Sequence, residues 1–522
     1  MFVKVNLPGI TDDQNLTLNR LLEQLAAKEP RNFLRASCYD GKRAIRQVGT
    51  VIPPQYYRLG IMLGWHAKGV DLLARRANLE GFVWPDGDLD SLGLSELQDA
   101  NQLRSEVNGG LVSSLIHSTS FLINTRGDES AGEPASLIHV KDARNAIGDW
   151  SRRRRELENL ISVTDRDDEG RVTGFALYLD GLTITAEKDA GVWSVDQSEH
   201  PWGVPAEPLV YKPRPERPFG SSRISRAAMG LLDQALRELI RLEGHMDIYS
   251  YPEMWMLGAD ETIFKNSDGT QKAAWQVMLG RIKGVPDDED ASSPRADVKQ
   301  FPASTPEPHL AALNAFAKLY AREMSLPDTA LAITDVSNPT SAESYDASQY
   351  ELIAEAEGAT DDWSRPLRRS IARALAIQNG EREVPVEFAS IDAKWRDCRY
   401  QSRAAQADAG MKVLTAAPEL AGTEAGYQLL GLTEQQIKVV LADQRRKAGA
   451  DIVERLTAAR DTGAEDAATI KAKADALGAL IRAGVSGESA AASLGLEGLE
   501  FTGAVPVSLR LPEADASTLE QQ

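Results

Sequence analysis

The sequence has few cysteines and no long apolar run, and both scarcities restrict the class of protein. Cys38 and Cys398 are the only cysteines among 522 residues, so no disulfide framework forms and we expect an intracellular origin. No stretch of about 18 apolar residues is present, which predicts no membrane-spanning helix. The start MFVKVNLPG also lacks the basic and apolar parts of a signal peptide. Secreted and membrane proteins are therefore disfavoured.

Sequence motifs of common enzymes and metal sites are also missing. The chain contains no P-loop, H-E-x-x-H, C-x-x-C or G-x-S-x-G pattern, and its six histidines lie far apart. The acidic run 165–170 resembles the start of an EF-hand loop, but position twelve is Ala176 instead of the required Glu. We expect a hairpin turn there, and no catalytic residue, metal site or cofactor anywhere.

Acidic residues outnumber basic residues in this chain. The chain has 58 Lys and Arg against 77 Asp and Glu, a net charge of −19, which argues against unspecific binding to DNA or anionic membranes. The run Arg152–Arg155 is diluted by Glu156 and Glu158, so a solvated face is favoured over a nucleic-acid site. One acidic run is equally compatible with a solvated loop and with a site for a cation or basic partner: Asp287, Asp288, Glu289 and Asp290.

Hydrophobic periodicity predicts an α+β fold that is predominantly helical. Thr11 and Gln14 form a possible capping box for the first helix, and Pro30 and Pro366 are expected to end or bend their helices. Short strands separated by turns are predicted between residues 121 and 212. The Ala-rich last third predicts two related hairpins, 407–432 and 474–496. Other helices are expected at 55–77, 95–117, 221–249, 306–324, 341–362 and 367–378.

The helix predicted over 221–249 has an unusually broad apolar face. Its stripe includes Ile224, Leu231, Leu239 and Leu242, and three further residues widen it: Leu232, Leu236 and Ile240. So wide a face requires neighbours on more than one side. The opposite, polar stripe carries Arg223, Arg226, Arg237 and Arg241. These arginines suit either phosphates or acids of a neighbouring chain, and the acidity of the chain favours the second.

Three segments of the chain carry a resemblance to a known family. The first is Leu209-Val210-Tyr211 followed by RPFGSSRI at 217–224, the helix containing Leu232-Asp233-Gln234-Ala235, and Tyr251-Pro252. The second is Ser325-Leu326-Pro327-Asp328 followed by NPTSAES at 338–344. The third is Tyr56-Tyr57-Arg58 with residues 78–82. Across residues 10–460 this order and spacing resembles the portal proteins of tailed bacteriophages, especially long-tailed phages of actinobacteria.

The resemblance implies a structural role and a set of partners. Such proteins form a ring, usually of twelve subunits, at one capsid vertex of the virion, and they assemble in the host cytoplasm. The implied partners are other copies of the chain, the terminase large subunit, major capsid and scaffold proteins, a head–tail adaptor, and double-stranded DNA that passes through the channel without sequence recognition. The resemblance implies no membrane and no enzymatic activity.

The resemblance also implies a division of the chain and candidate site residues. The implied regions are wing 1–220, stem helices 221–249 and 306–324, clip 250–305, tunnel loop 325–340, a long helix returning to the wing 341–399, crown 400–500 and tail 501–522. Implied channel residues are Asp328, Asp335, Asn338, Thr340 and Ser341. The implied stem contacts between subunits are Ile224, Leu231, Leu232, Leu239, Leu242, Arg237 and Arg241. The acids Asp287–Asp290 would face the DNA-translocating motor.

Two other classes of protein remain open at this point. One is another structural virion component, such as a capsid protein or head–tail connector, although those are usually shorter and lack a strand-bearing insert between two helices. The other is a cytosolic hydrolase with dispersed acidic catalytic residues, which would be active as a purified monomer. The missing P-loop fits a conduit whose ATPase is a separate protein.

Overall fold

All the strands described in the computed structural model lie in the first of two units, Met1–Cys398 and Arg399–Gln522. The structure describes residues 4–43, 62–249, 254–257, 265–270, 282–285, 297–300, 304–331, 347–399, 403–460 and 467–496. The predicted mixture of helices and strands is confirmed.

Seven α-helices are described in the first unit. They are α1 (Asp12–Tyr39), α2 (Trp65–Arg76), α3 (Leu94–Ala100), α4 (Leu103–His117), α5 (Arg226–Tyr249), α6 (Glu307–Glu323) and α7 (Tyr350–Gln378). The capping box at the start of α1 is confirmed, because the Thr11 hydroxyl accepts from the Gln14 amide and Gln14 Oε1 accepts from the Thr11 amide.

Of the two predicted alternatives for Pro30 and Pro366, an end of the helix is wrong and a bend stays a prediction. Pro30 lies inside α1 and Pro366 inside α7. A proline inside a helix costs about 3 kcal/mol or more, because it removes one backbone hydrogen bond. Buried residues on both sides of each proline offset this cost, since Trp363 and Leu367 both belong to the core around α7. Tertiary packing therefore outweighs the local signal.

The described strands form four separate sheets. They are β1 (Leu79–Val83), β2 (Thr119–Arg126), β3 (Ser136–Asp142), β4 (Ala146–Ser151), β5 (Glu156–Arg166), β6 (Val172–Leu179), β7 (Leu182–Asp189), β8 (Val192–Glu199), β9 (Ala206–Val210), β10 (Met254–Leu257), β11 (Ile282–Val285), β12 (Asp297–Gln300) and β13 (Asp392–Trp395). An antiparallel meander joins β4 to β8 in order, and the other sheets are β3-β2-β9, β1-β13 and β11-β10-β12. Strand β4 is absent from the predicted set.

Two turns of the meander confirm sequence interpretations. The arginines Arg152–Arg155 occupy the β4–β5 turn, and all four are exposed. The EF-hand-like run lies in the β5–β6 hairpin, where Gly170 adopts the positive φ that the turn requires. Both segments are surface turns.

The region 95–117 contains two helices where one was predicted. Gln102 between α3 and α4 has a positive φ of 46°. The buried Asn101 beside it donates to the Ser136 carbonyl, at 3.0 Å, and accepts from the Ile138 amide, at 2.8 Å. These bonds tie the break to β3, so the interruption follows from a contact distant in sequence.

Three hydrophobic clusters fill the first unit. Leu18, Leu21, Leu22 and Leu25 of α1 pack with residues from one face of the meander. A second cluster combines β2 with the meander and includes Phe121 and Tyr178, among others. The third and largest gathers α2, α4, α5, α6 and α7 around the fully buried side chains of Trp363 and Tyr320, among others.

The second unit consists, in its described part, of helices. They are α8 (Arg403–Ala416), α9 (Glu424–Leu429), α10 (Glu434–Arg460), α11 (Ala467–Arg482) and α12 (Gly487–Ser493). The predicted hairpins correspond to α8–α9 and α11–α12, although Ala407 and Ala474 lie inside helices that begin earlier. Both short helices end alike, because Gly431 and Gly495 have positive φ and the next amide bonds back to the helix.

Candidate functional site: a buried junction beside the long helix

The segment 217–224, which carries the resemblance, connects β9 to α5. Gly220 has a φ of 67°, and a Cβ at this position would lie 2.1 Å from the Tyr211 carbonyl oxygen. Glycine is therefore required there. The Ser222 hydroxyl donates to the Ile116 carbonyl at 2.5 Å. These contacts hold the segment against the end of α4, and α5 starts at Arg226, later than predicted.

Arg223 lies at the centre of this junction. Its buried guanidinium donates to the Gly69 carbonyl at 2.9 Å and to the Tyr211 hydroxyl at 3.0 Å. It also donates to the Met324 carbonyl, where α6 ends. One side chain thus joins α2, the residue that follows β9, the start of α5 and the end of α6.

Glu355 of α7 is the counterion of the junction. Its carboxylate lies 3.5 Å from Arg223 and 2.5 Å from the Lys212 ammonium, and it accepts from the Tyr211 hydroxyl. Burial opposes ionisation, but the bonds from Lys212 and Tyr211 and the charge of Arg223 outweigh it, so the pKa of Glu355 is lowered. The junction is therefore an ionised, hydrogen-bonded network.

A second buried contact joins α2 to α6. His66 Nδ1 lies 2.7 Å from the Tyr320 hydroxyl, and the Trp65 ring lies 5.4 Å from the Tyr320 ring. Burial, with a smaller contribution from the charge of Arg43, lowers the pKa of His66 to about 4. His66 is therefore neutral at pH 7, and the contact is a hydrogen bond between uncharged groups.

Helices α5 and α6 pack against each other along their length and share a polar cluster. Glu238 is 8% exposed, accepts from Arg241 at 2.9 Å and lies 2.6 Å from His309 Nδ1. The His309 ring lies 5.1 Å from that of His245. This cluster satisfies a buried carboxylate from both helices.

The structure separates the predicted stem contacts into two groups. Ile224 and Leu232 are 1% and 7% exposed and belong to the core of the chain itself. The others remain accessible: Leu231, Leu239, Leu242 and Arg237 are half-buried, and Arg241 is exposed. The accessible leucines leave an apolar surface on α5 that the described residues cover only in part.

The expectation that Arg223 lies on a polar face open to a partner is wrong. Its side chain is buried because three carbonyl or hydroxyl oxygens and Glu355 surround it. A similar buried pair was missed between α7 and β9, where Arg373 lies 2.8 Å from Glu207. No spacing pattern in the sequence predicts such ion pairs, because the two partners lie far apart in sequence.

The remaining predicted site residues have little structural description. Asp328 is exposed at the start of a 3-10 turn, Asp328–Ala330. The other residues predicted for the channel (Asp335, Asn338, Thr340 and Ser341) and the acids predicted for the clip (Asp287–Asp290) lie outside the described residues.

Within the described ranges, no group of three or more His, Cys, Asp or Glu side chains is arranged to hold a metal ion. No described helix combines the length and apolar character needed to cross a bilayer.

Comparison with known proteins shows the family. The family model described as phage portal protein, SPP1 Gp6-like, matches residues 18–424. The chain therefore belongs to this phage portal protein family, which is structural and whose members are virion components.

Individual relatives agree with this membership. The portal protein of Mycobacterium phage L5 is 25% identical over 384 residues, covering 72% of this chain and 77% of the relative. That of Mycobacterium phage D29 is 25% identical over 401 residues, covering 75% and 81%. Among solved structures, a chain from the neck of a native GTA particle, computed with C12 symmetry, aligns with 16% identity and a TM-score of 0.35. The alignment covers 71% of this chain and 90% of that chain.

Proposed function

We propose that the chain forms a closed ring at a capsid vertex, through which double-stranded DNA is packaged and later ejected. The ring would be the docking platform for the terminase and the head–tail adaptor, and would contact major capsid and scaffold proteins. Twelve subunits are the proposed number. Family membership supports this role, and an accessible apolar surface of the chain is a physical reason for assembly.

That reason is the uncovered surface of α5. Leu231, Leu239 and Leu242 stay half-buried after the chain has folded, and Met246 is 52% exposed near the end of the helix. Apolar surface of this kind is stabilised by burial against a neighbour, at about 25 cal/mol per Å². Placing α5 against the next subunit would cover it. This surface is the observation that carries the proposed ring.

The division into wing, stem, clip, tunnel loop and crown is part of the same proposal. The strands β10, β11 and β12 between α5 and α6 fit a small strand-bearing clip. Residues 325–340 follow α6 and contain no Lys or Arg, but two acids, Asp328 and Asp335. Such a loop would pass DNA without holding it, since phosphate binding depends on cations.

The channel proposal has a direct test. Replacing Asp335 or Thr340 with Lys should leave rings intact and slow DNA packaging in vitro, because a ring multiplies each added cation by its subunit number. A parental packaging rate in both variants would remove this loop from the constriction.

The ring itself is tested by negative-stain microscopy of the purified chain. We expect rings with a central hole for the parental protein, and monomers or aggregates for Leu231→Asp and Leu239→Asp, because an unpaired carboxylate in an apolar interface costs several kcal/mol. Val386→Asp is the control, since Val386 is 89% exposed outside the stem. Rings of normal appearance from both stem variants would refute the α5 interface. A parental chain that forms no ring would favour another structural virion protein.

A further inference from the structure

A group of cations around Phe219 has no ion-pair partner in the described part of the chain. Lys28, Arg31 and Arg35 follow one another at helical spacing on α1, and Arg217 comes from the segment before α5. The Lys28 ammonium lies 5.9 Å from the centre of the Phe219 ring. We call these four residues the cationic patch.

The four charges lie near one another. Burial, together with the charges of Arg31 and Arg217, lowers the pKa of Arg35 to about 10. Burial and the charge of Arg31 likewise lower the pKa of Lys28. Lys28 and Arg35 are half-buried and Arg31 and Arg217 are exposed, and an anionic partner relieves the repulsion among them.

Acids close to the cationic patch are already paired with other residues. The Asp149 carboxylate accepts two hydrogen bonds from the Arg20 guanidinium, at 2.6 and 2.8 Å, and Glu29 forms an ion pair with Arg144 at 2.8 Å. The patch therefore keeps an excess of positive charge, although the whole chain carries −19.

Neighbouring side chains indicate what kind of partner the patch accepts. Leu34, which follows Arg31 by three residues on α1, is 39% exposed, and the Phe219 ring beside Lys28 is half-buried. Aromatic residues and arginines together are enriched at protein–protein interfaces. Exposed apolar groups do not contribute to binding phosphates, so a protein partner is favoured over nucleic acid.

The same chain carries a complementary surface. Between residues 86 and 99, five exposed carboxylates form no ion pair with any described residue: Asp86, Asp88, Asp90, Glu96 and Asp99. The segment is fixed in place, because the Gly93 carbonyl accepts from the Gln378 amide at 2.9 Å. We call these five residues the acidic segment.

We propose that the cationic patch of one copy binds the acidic segment of the next copy in the assembly. Contact between two different surfaces of identical chains is the type of interface that closes a ring. It would also offset the repulsion among copies that each carry −19. This inference rests on the proposed ring and adds a wing-to-wing contact to it.

Charge reversal tests the pairing in the full chain. Arg31→Glu with Arg217→Glu should remove rings at 0.1 M salt, seen as a shift of at least about tenfold in the protein concentration needed for assembly. Asp86→Lys with Asp99→Lys should do the same. The four changes combined should restore rings, because the charges are then exchanged. Arg126→Glu with Lys188→Glu is the control, since both side chains are exposed and form no ion pair in the described residues.

The outcomes separate this inference from the ring itself. Parental rings with unchanged assembly of both reversed pairs would overturn the pairing and leave the proposed function standing. Unchanged rings with weaker binding of a double-stranded DNA fragment to the Arg31→Glu/Arg217→Glu variant would also overturn it, and would make the patch a phosphate site. Failure of the combined variant to regain rings, with unchanged thermal unfolding, would exclude the acidic segment as the partner. A parental chain without rings overturns both proposals.

Discussion

The two ends of α5 differ in how completely their own chain surrounds them. At the beginning, Ala228, Leu232 and Ala235 are buried, and Arg223 just before the helix is fully hydrogen-bonded. Toward the end, Leu242 is only half-buried and Met246 and Tyr249 are exposed. One continuous apolar pattern therefore completes the fold of the subunit at one end and leaves an accessible apolar surface at the other.

This difference indicates that the stability of the subunit and its assembly can be changed separately. The first end is stabilised by burial that the chain achieves alone. In the proposed ring the second would gain its burial from a neighbour, so changes there should spare the subunit. The following predictions probe this separation, from the largest expected effect to the smallest.

Arg223→Met should destabilise the subunit most. The change leaves two buried carbonyls without their donor and removes one cation from Glu355. Breaking a buried charged network costs about 3–5 kcal/mol. The measurement is the unfolding free energy from guanidinium denaturation, with Arg226→Met as the control at the exposed first residue of α5. Equal stability of the two variants would contradict the role assigned to the junction.

Leu232→Ala and Leu242→Ala form a matched pair on one helix. Leu232 is 7% exposed in the core, so its truncation should cost about 2–5 kcal/mol of unfolding free energy under conditions where the chain is monomeric. Leu242 is half-buried and should cost about 1 kcal/mol or less there, while weakening assembly. Thermal unfolding and light scattering measure the two effects. The comparison fails if both variants lose the same stability as monomers.

Acidification should weaken the junction side of the molecule gradually. Burial lowers the pKa of His66 and His117 to about 4, whereas both ionise near 6.5 in the unfolded chain. Between about pH 6.5 and 4 the unfolded chain binds protons that the folded chain does not, so stability falls as the pH falls, by at most about 1.4 kcal/mol per unit for each histidine.

Replacing the histidine of the α2–α6 contact isolates its part of this slope. His66→Gln keeps a hydrogen-bonding group near the Tyr320 hydroxyl and removes one titrating site. The dependence of unfolding temperature on pH, measured from 7 to 4.5, should become shallower than in the parental chain. An unchanged slope would show that His66 is not protonated on unfolding.

Local sequence signals predicted many elements because their causes are local. The Thr11–Gln14 capping box defines the start of α1, and the short strands predicted between residues 121 and 212 include β6 (Val172–Leu179). Local sequence signals gave wrong predictions where contacts between residues distant in sequence decide the structure. Pro30 lies inside a helix, and Asn101 breaks one because it bonds to β3.

The candidate site was predictable only in outline. The segment 217–224 attracted attention through its resemblance, and Gly220 proves to be required by the backbone. The role of Arg223 in this segment could not be predicted from the sequence. Its partners Gly69, Met324 and Glu355 come from three distant parts of the chain.

By itself, the sequence determined the periodic patterns that build α5 and the meander, the acidity of the chain, and a motif order that resembles one family. Tertiary structure alone decided which leucines of α5 face their own chain and which stay open, and that Arg223 is buried and not exposed. The physical reason is that periodicity shows that a helix has an apolar face, whereas burial depends on which distant segments pack against it.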